Sequence, residues 1–182
     1  MSQKKFKGIS TVTLHTAGHD NDSFSHTTPI YATSTFTFNS AEEGMERFAG
    51  NDKTRLYTRW GNPTFTAAEQ TIAALESHGL LNEQGAPLEL KALLHSSGQA
   101  AMTTLFFSNL SAGDTLISHY SLYGGSQELM QKVLAEAGVK IILIDIHDEA
   151  LLIETITANP STKLIHLETP ANPTLQCVDI QA

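Results

Sequence analysis

The 182-residue sequence predicts a doubly wound α/β layer on a parallel sheet, preceded by an extended amino-terminal arm. Two observations predict the layer. Beyond Thr64, short apolar runs alternate with longer amphipathic ones, the order strand, helix, strand. The apolar runs are also continuous instead of alternating with polar residues, as expected when helices cover both faces of a sheet. A third observation predicts the arm: before Asn62 no periodicity is sustained, and glycine, threonine, serine, asparagine and histidine dominate, as in GHDNDSFSHTTP.

Within the arm, residues 1–62, the run IYATSTFTF (30–38) alternates like an extended strand laid on a neighbour's surface. Ser40 and Glu43 form a capping box, so a helix starts there and ends near Gly50. The α/β part occupies residues 63–182. In TFTAAEQTIAALESHG, Phe65, Ala68, Ile72 and Leu75 share one helical face, and Gly79 stands where the helix should stop. Four apolar runs then read as strands: KALLHSS, DTLISHY, VKIILIDI and TKLIHLET. Between them GQAAMTTLFFSNLSAG, GGSQELMQKVLAEAG and DEALLIETITANP read as helices, joined by right-handed crossovers. Only PANPTLQCVDIQA follows the last run, so the layer is expected to be incomplete, with an apolar sheet edge that invites association.

Composition narrows the function. Hydrophobic residues make up 41% and charged residues 16%, enough for a packed domain. The net charge is −8, and no basic cluster follows the KKFK run at 4–7, so a nucleic-acid partner is not expected. Charges interrupt every apolar stretch before it could span a bilayer, and the first residues lack a signal-peptide pattern; a soluble, cytoplasmic protein is expected. Cys177 is the only cysteine, leaving no internal disulfide and no CxxC zinc pair. His15 and His19 lie in a glycine-bearing stretch, and His166 and Glu168 alternate on a strand; neither pair builds a three-ligand metal set, so no metal is expected.

Ligands of an open parallel sheet bind beyond the carboxyl ends of its strands. Three loops fall there: HSSGQAA (95–101), YSLYGGS (120–126) and ETPANPT (168–174). In the first, Gly98 and Gln99 would turn their amides outward at a helix start, an anion cradle with neither GxGxxG nor GxxxxGK[ST] spacing. In the second, Tyr123 beside two glycines suits stacking on an aromatic ligand. In the third, Pro170 and Pro173 stiffen a segment that carries Glu168 and Asn172. Upstream, YTRWGNPT (57–64) joins Tyr57 and Arg59 just before a helix, a pairing suited to phosphate or carboxylate. Taken singly, each loop also fits an ordinary turn or a solvated surface.

Taken together and in order, YTRWGNPT, SSGQAAM, YGGS and ETPANPTLQCVDI resemble the Cys/Met-metabolism enzymes that use pyridoxal 5′-phosphate: cystathionine γ-synthase, cystathionine lyases, methionine γ-lyase and O-acylhomoserine sulfhydrylases. PIYATSTFTF and EEGMERFAG are similar to that family's opening arm. The resemblance implies a fold type I, PLP-dependent transferase-like large domain, and a homo-oligomer acting on a small amino-acid substrate by elimination or replacement at the γ- or β-carbon. It implies that the amides of Gly98 and Gln99 hold the cofactor phosphate. Tyr123 would stack on the pyridine ring and assist proton transfer, making it the catalytic candidate. Tyr57 and Arg59 would reach the phosphate of a neighbouring subunit, Asn172 would lie near the phenolic oxygen, and Glu168 would orient its loop. The family's Schiff-base lysine and ring-nitrogen acid correspond to positions beyond Ala182. The tempting PSTKL lysine, Lys163, opens a strand and so belongs at the far end of the sheet; the resemblance therefore implies a chain inactive alone, or a non-catalytic partner of a full-length relative. Gly125 stands where methionine γ-lyases of the family carry cysteine, which weighs against that subtype.

Overall fold

The structure, a computed structural model, describes residues 8–16, 23–50 and 55–180; the basic run at 4–7 and His19 lie outside them. The chain divides into two compact units, Met1–Leu94 and His95–Ala182. No helix of the described residues is long and apolar enough to cross a membrane.

The first unit holds α1 (Ile9–His15), α2 (Ala41–Phe48) and α3 (Pro63–Glu76). Ser40 caps α2 by accepting the Glu43 N–H at 3.2 Å, while Glu43 reaches back to the Asn39 N–H at 2.6 Å, one residue earlier than a standard capping box. Asn62, 2% exposed, caps α3: its Oδ1 accepts the Thr64 N–H at 2.9 Å and its Nδ2 donates to the Tyr31 carbonyl at 3.0 Å. This buried amide therefore starts a helix and fixes the extended stretch around Tyr31. Gly79 adopts φ +78° and would meet no atom within 4 Å if it carried a Cβ, so backbone conformation alone calls for glycine at this stop. Two stretches picked out by their pattern stay uncovered or unpaired among the described residues. The apolar face of α3 stays half open, with Phe65 47% and Ile72 41% exposed. The run at 30–38 makes one antiparallel bridge, Thr35 to Tyr57, and no ladder.

The second unit carries the sheet. Its elements are α4 (Gly98–Asn109), β1 (Thr115–His119), α5 (Gly124–Glu128) continuing as a π-helical stretch Leu129–Leu134, β2 (Lys140–Ile144), α6 (Glu149–Ala158) and β3 (Thr162–His166). All strands are parallel in the order β2-β1-β3. Among the described residues three strands form where four were expected, because KALLHSS finds no ladder partner there: Leu93 is exposed and the Leu94 N–H goes to the Glu69 carboxylate at 2.9 Å. Both edges of β1 are already occupied by β2 and β3. The β1-to-β2 and β2-to-β3 connections run in opposite directions; with right-handed crossovers they place their helices on opposite faces. The strand order consequently reverses between β1 and β3, the switch point where open α/β sheets bind ligands. Phe106, Leu116, Met130 and Leu134 are fully buried at the centre of the core, with Leu110, Leu122, Leu129 and Val139 around them. That core holds α4 against the sheet and so fixes where the first turn of α4 points.

Candidate functional site

A cleft of about 470 Å³ opens at that switch point. Residues of all three loops line it: Gly98 and Gln99 from the start of α4, Tyr123 after β1, and Glu168 and Asn172 after β3. Ser97, Met102, Ser126 and His166 complete the lining. Thus four of the expected cofactor residues, Gly98, Gln99, Tyr123 and Asn172, are brought together in one unit.

The cradle is built by the helix start itself. Ser97 caps α4, its hydroxyl accepting the Ala100 N–H at 3.1 Å, which leaves the amides of Gly98 and Gln99 as the orphan donors of the first turn. A Cβ at Gly98 would meet nothing within 4 Å, so the chain's own packing does not require glycine there; the added carbon would instead occupy open space at the helix start. The end of a twelve-residue helix with free amides suits a phosphate. Tyr123 follows β1 with its side chain half exposed, free to present a ring face.

Glu168 ties the loops together. Its Oε2 accepts the Tyr123 N–H at 3.0 Å and its Oε1 accepts the Asn172 N–H at 2.9 Å, so one carboxylate sets the positions of both. Gly125 is crowded: a Cβ there would lie 2.7 Å from Tyr123 Cε1 and 3.0 Å from Gln99 Nε2. Any side chain at 125 must displace the tyrosine ring. Burial pushes the His166 imidazole below the ordinary histidine range, opposed more weakly by the Glu168 charge. Among the described lysines, Lys132 pairs with Glu128 at 2.7 Å, Lys140 bonds Asn159 at 2.7 Å, and Lys163 is the second residue of β3; none lines the cleft.

Tyr57 and Arg59 meet each other in the first unit. The Arg59 guanidinium lies 4.9 Å from the Tyr57 ring centroid and 5.8 Å from that of Trp60. They line an aromatic hollow of about 240 Å³ with Phe36, Phe38 and Phe48. Arg47, in contrast, is committed to Glu43 and to the Arg55 carbonyl.

Residues 10–182 match the family described as Cys/Met metabolism PLP-dependent enzyme. The chain belongs to this family. Within it, the chain is 37% identical over its full length to L-methionine gamma-lyase of Fusobacterium nucleatum, covering 42% of that protein. It is 33% identical over 96% of its length to O-acetyl-L-homoserine sulfhydrylase of Corynebacterium glutamicum, covering 38%. Among solved structures, a protein described as O-acetylhomoserine (thiol)-lyase from Campylobacter jejuni, holding N′-pyridoxyl-lysine-5′-monophosphate, superposes with a TM-score of 0.79 at 28% identity, over 97% of this chain and 40% of that one. The chain therefore spans about two-fifths of the length of these relatives, and its fold is that of the fold type I PLP-dependent enzymes.

Sequence reasoning missed a second cluster. The ligand atoms of His119, Asp145 and His147 lie within 4.8 Å of one another, brought together because β1 and β2 are neighbours. Their nitrogens are already engaged: His119 Nδ1 accepts the Ile146 N–H at 3.2 Å, His147 Nδ1 bonds Asp145 at 2.9 Å, and His147 Nε2 bonds the Cys177 carbonyl at 3.0 Å. Both partners of His147 only accept, so both ring nitrogens must donate, which requires imidazolium. The Cys177 carbonyl and then Asp145 accordingly raise the His147 pKa, and His147 lowers that of Asp145. A raised folded-state pKa gives stabilisation that is complete below the unfolded value of about 6.5 and lost as pH rises through the folded value. The Asp145 contribution is present above its unfolded value of about 3.9. An NMR titration should place the His147 midpoint above that of an unstructured histidine, with faster amide exchange near Cys177 once it is passed; a midpoint at or below the ordinary value contradicts this.

Proposed function

We propose that this chain supplies the phosphate cradle and ring-stacking face of a pyridoxal phosphate site in an enzyme that eliminates or replaces a group at the γ- or β-carbon of a sulfur-containing or O-acylated amino acid. The observation that carries the reading is the convergence of three loops on one cleft where Gly98 leaves the helix start open. When bound, pyridoxal phosphate supplies an electron sink for the bond broken in the substrate. Gly98 and Gln99 would hold the phosphate through their amides, and Tyr123 would stack on the ring and move a proton at its phenolic oxygen. Asn172 would lie near the phenolic oxygen, while Glu168 keeps both loops in register.

Tyr57 and Arg59 serve a second subunit: among the described residues no acceptor takes the Arg59 N–H groups, which suits binding a neighbour's phosphate. The arm, with Phe24 and Ile30 largely exposed, then acts as the oligomer contact of a soluble, cytoplasmic homo-oligomer. No lysine borders the cleft among the described residues, which supports the reading that these 182 residues by themselves form no Schiff base and are inactive. The same exposed arm supports a second reading, a non-catalytic partner that lends Tyr57 and Arg59 to a full-length relative. Gly125 weighs against the methionine γ-lyase reaction and overall identity weighs toward it; product analysis with L-methionine and O-acetylhomoserine decides.

Pyridoxal phosphate titrated into the chain should bind and shift the Gly98 and Gln99 amide resonances, with no mass increment fixed on a lysine by borohydride. Unmoved amides contradict the cradle, and a borohydride-fixed lysine contradicts inactivity. In a version extended through the segments its relatives possess, Arg59→Ala should weaken cofactor retention about 10-fold or more, the loss of a charge-assisted bond. Unchanged retention contradicts the interfacial role.

A further inference from the structure

His166 is the cleft residue with no role in the reading above. It closes β3, two positions before Glu168, and its ring meets Phe106 edge-on at 5.6 Å between centroids. On the neighbouring strand, the Ser118 hydroxyl lies 3.1 Å from His166 Nδ1, 3.0 Å from the His166 carbonyl and 3.3 Å from the His119 carbonyl. A hydroxyl carries a single hydrogen, and carbonyls cannot donate. If Ser118 donated to Nδ1, neither carbonyl contact would be a hydrogen bond. If Ser118 donates to a carbonyl, Nδ1–H can donate to the hydroxyl, and two of the three contacts are satisfied. The second arrangement places the imidazole proton on Nδ1.

The other nitrogen is then a bare lone pair. Nε2 has no hydrogen-bond partner among the described residues, and no buried side-chain nitrogen or oxygen there lacks one, so Nε2 is open. His166 is among the residues that line the cleft. Burial disfavours the charged ring, opposed more weakly by Glu168, which with Tyr123 makes up the other titratable groups lining the same space.

We propose that His166 is a further ligand-contacting residue of this cleft, an Nδ1-protonated neutral imidazole whose Nε2 accepts a hydrogen bond from an N–H donor of the bound ligand. This rests on the reading that the cleft holds pyridoxal phosphate, and the donor is either the protonated ring nitrogen of the cofactor or the ammonium of the amino acid. Ser118 acts as a positioning residue by fixing the tautomer.

The test is 15N NMR of the His166 ring in the 182-residue chain at neutral pH, free, with pyridoxal phosphate, and with L-methionine added. In the free chain Nε2 should show the shift of an unprotonated nitrogen, and Ser118→Ala should move the tautomer toward Nε2–H. A protonated Nε2 in the free chain overturns the proposal. A shift of Nε2 with pyridoxal phosphate alone supports it and identifies the cofactor as donor; a shift only after the amino acid supports it and identifies the substrate. Gly98 and Gln99 amides that respond while Nε2 stays still through both additions overturn it but leave the cofactor reading standing. Amides and Nε2 that all stay still overturn both.

Discussion

Replacing Phe106 with alanine lowers the unfolding free energy of the chain by about 3–5 kcal/mol. The ring is fully buried on α4 among Leu110, Leu116 and Met130, so its removal leaves a cavity that a parallel sheet cannot easily close. A loss of that size is a large share of the roughly 5–15 kcal/mol that holds an ordinary domain together. The cradle suffers with it, because α4 is positioned by this packing and Phe106 also abuts His166. Urea unfolding followed by circular dichroism reads the effect as a lower midpoint. Phe107, the next residue, is 48% exposed, and Phe107→Ala should change stability by under about 1 kcal/mol. Phe106→Leu keeps most of the volume and should fold if the alanine variant does not. Equal effects at 106 and 107 would show that the core is not where Phe106 lies.

The contrast between these neighbours marks what was legible in the sequence and what was not. Apolar runs bounded by turn residues located β1, β2 and β3 because a central parallel strand needs apolar residues on both faces, and β1 is buried from Thr115 to His119. The cap at Ser40 and the stop at Gly79 were legible because hydrogen-bond and backbone rules act over a few residues. KALLHSS satisfies the same local rules and forms no strand, since a ladder needs a partner whose identity is not local. The stripe of Phe65 and Ile72 has the right period, but periodicity does not say what covers it. At the site, glycine and proline revealed the loops at 98, 123 and 172, while His166 stood out only as a metal ligand beside Glu168 and Ser126 only as the end of its loop. A histidine on a strand carries no signal of the tautomer its neighbour imposes, and the pairing of Ser118 with His166 depends on β1 lying beside β3. The same dependence on strand order hid the assembly of His119, Asp145 and His147.

Glu168→Ala should release two loops at once. Each backbone N–H bonded to a carboxylate contributes on the order of 1.5–3 kcal/mol, nearer the lower figure at a half-buried position. Amide exchange at Tyr123 and Asn172 should therefore quicken about 10-fold or more, since 1.4 kcal/mol corresponds to a factor of ten. Glu168→Gln preserves shape but turns one oxygen into an NH2 group, which faces a backbone donor and cannot accept from it. One of the two amides should then lose protection while the other keeps it, a pattern that bulk destabilisation would not produce. Affinity for pyridoxal phosphate should fall about 10-fold or more in the alanine variant, because Tyr123 and Asn172 no longer share one anchor. The urea midpoint should move much less than in Phe106→Ala, since Glu168 lies outside the apolar core. If both amides stay protected in Glu168→Ala, the loops are held by packing and the carboxylate has no positioning role.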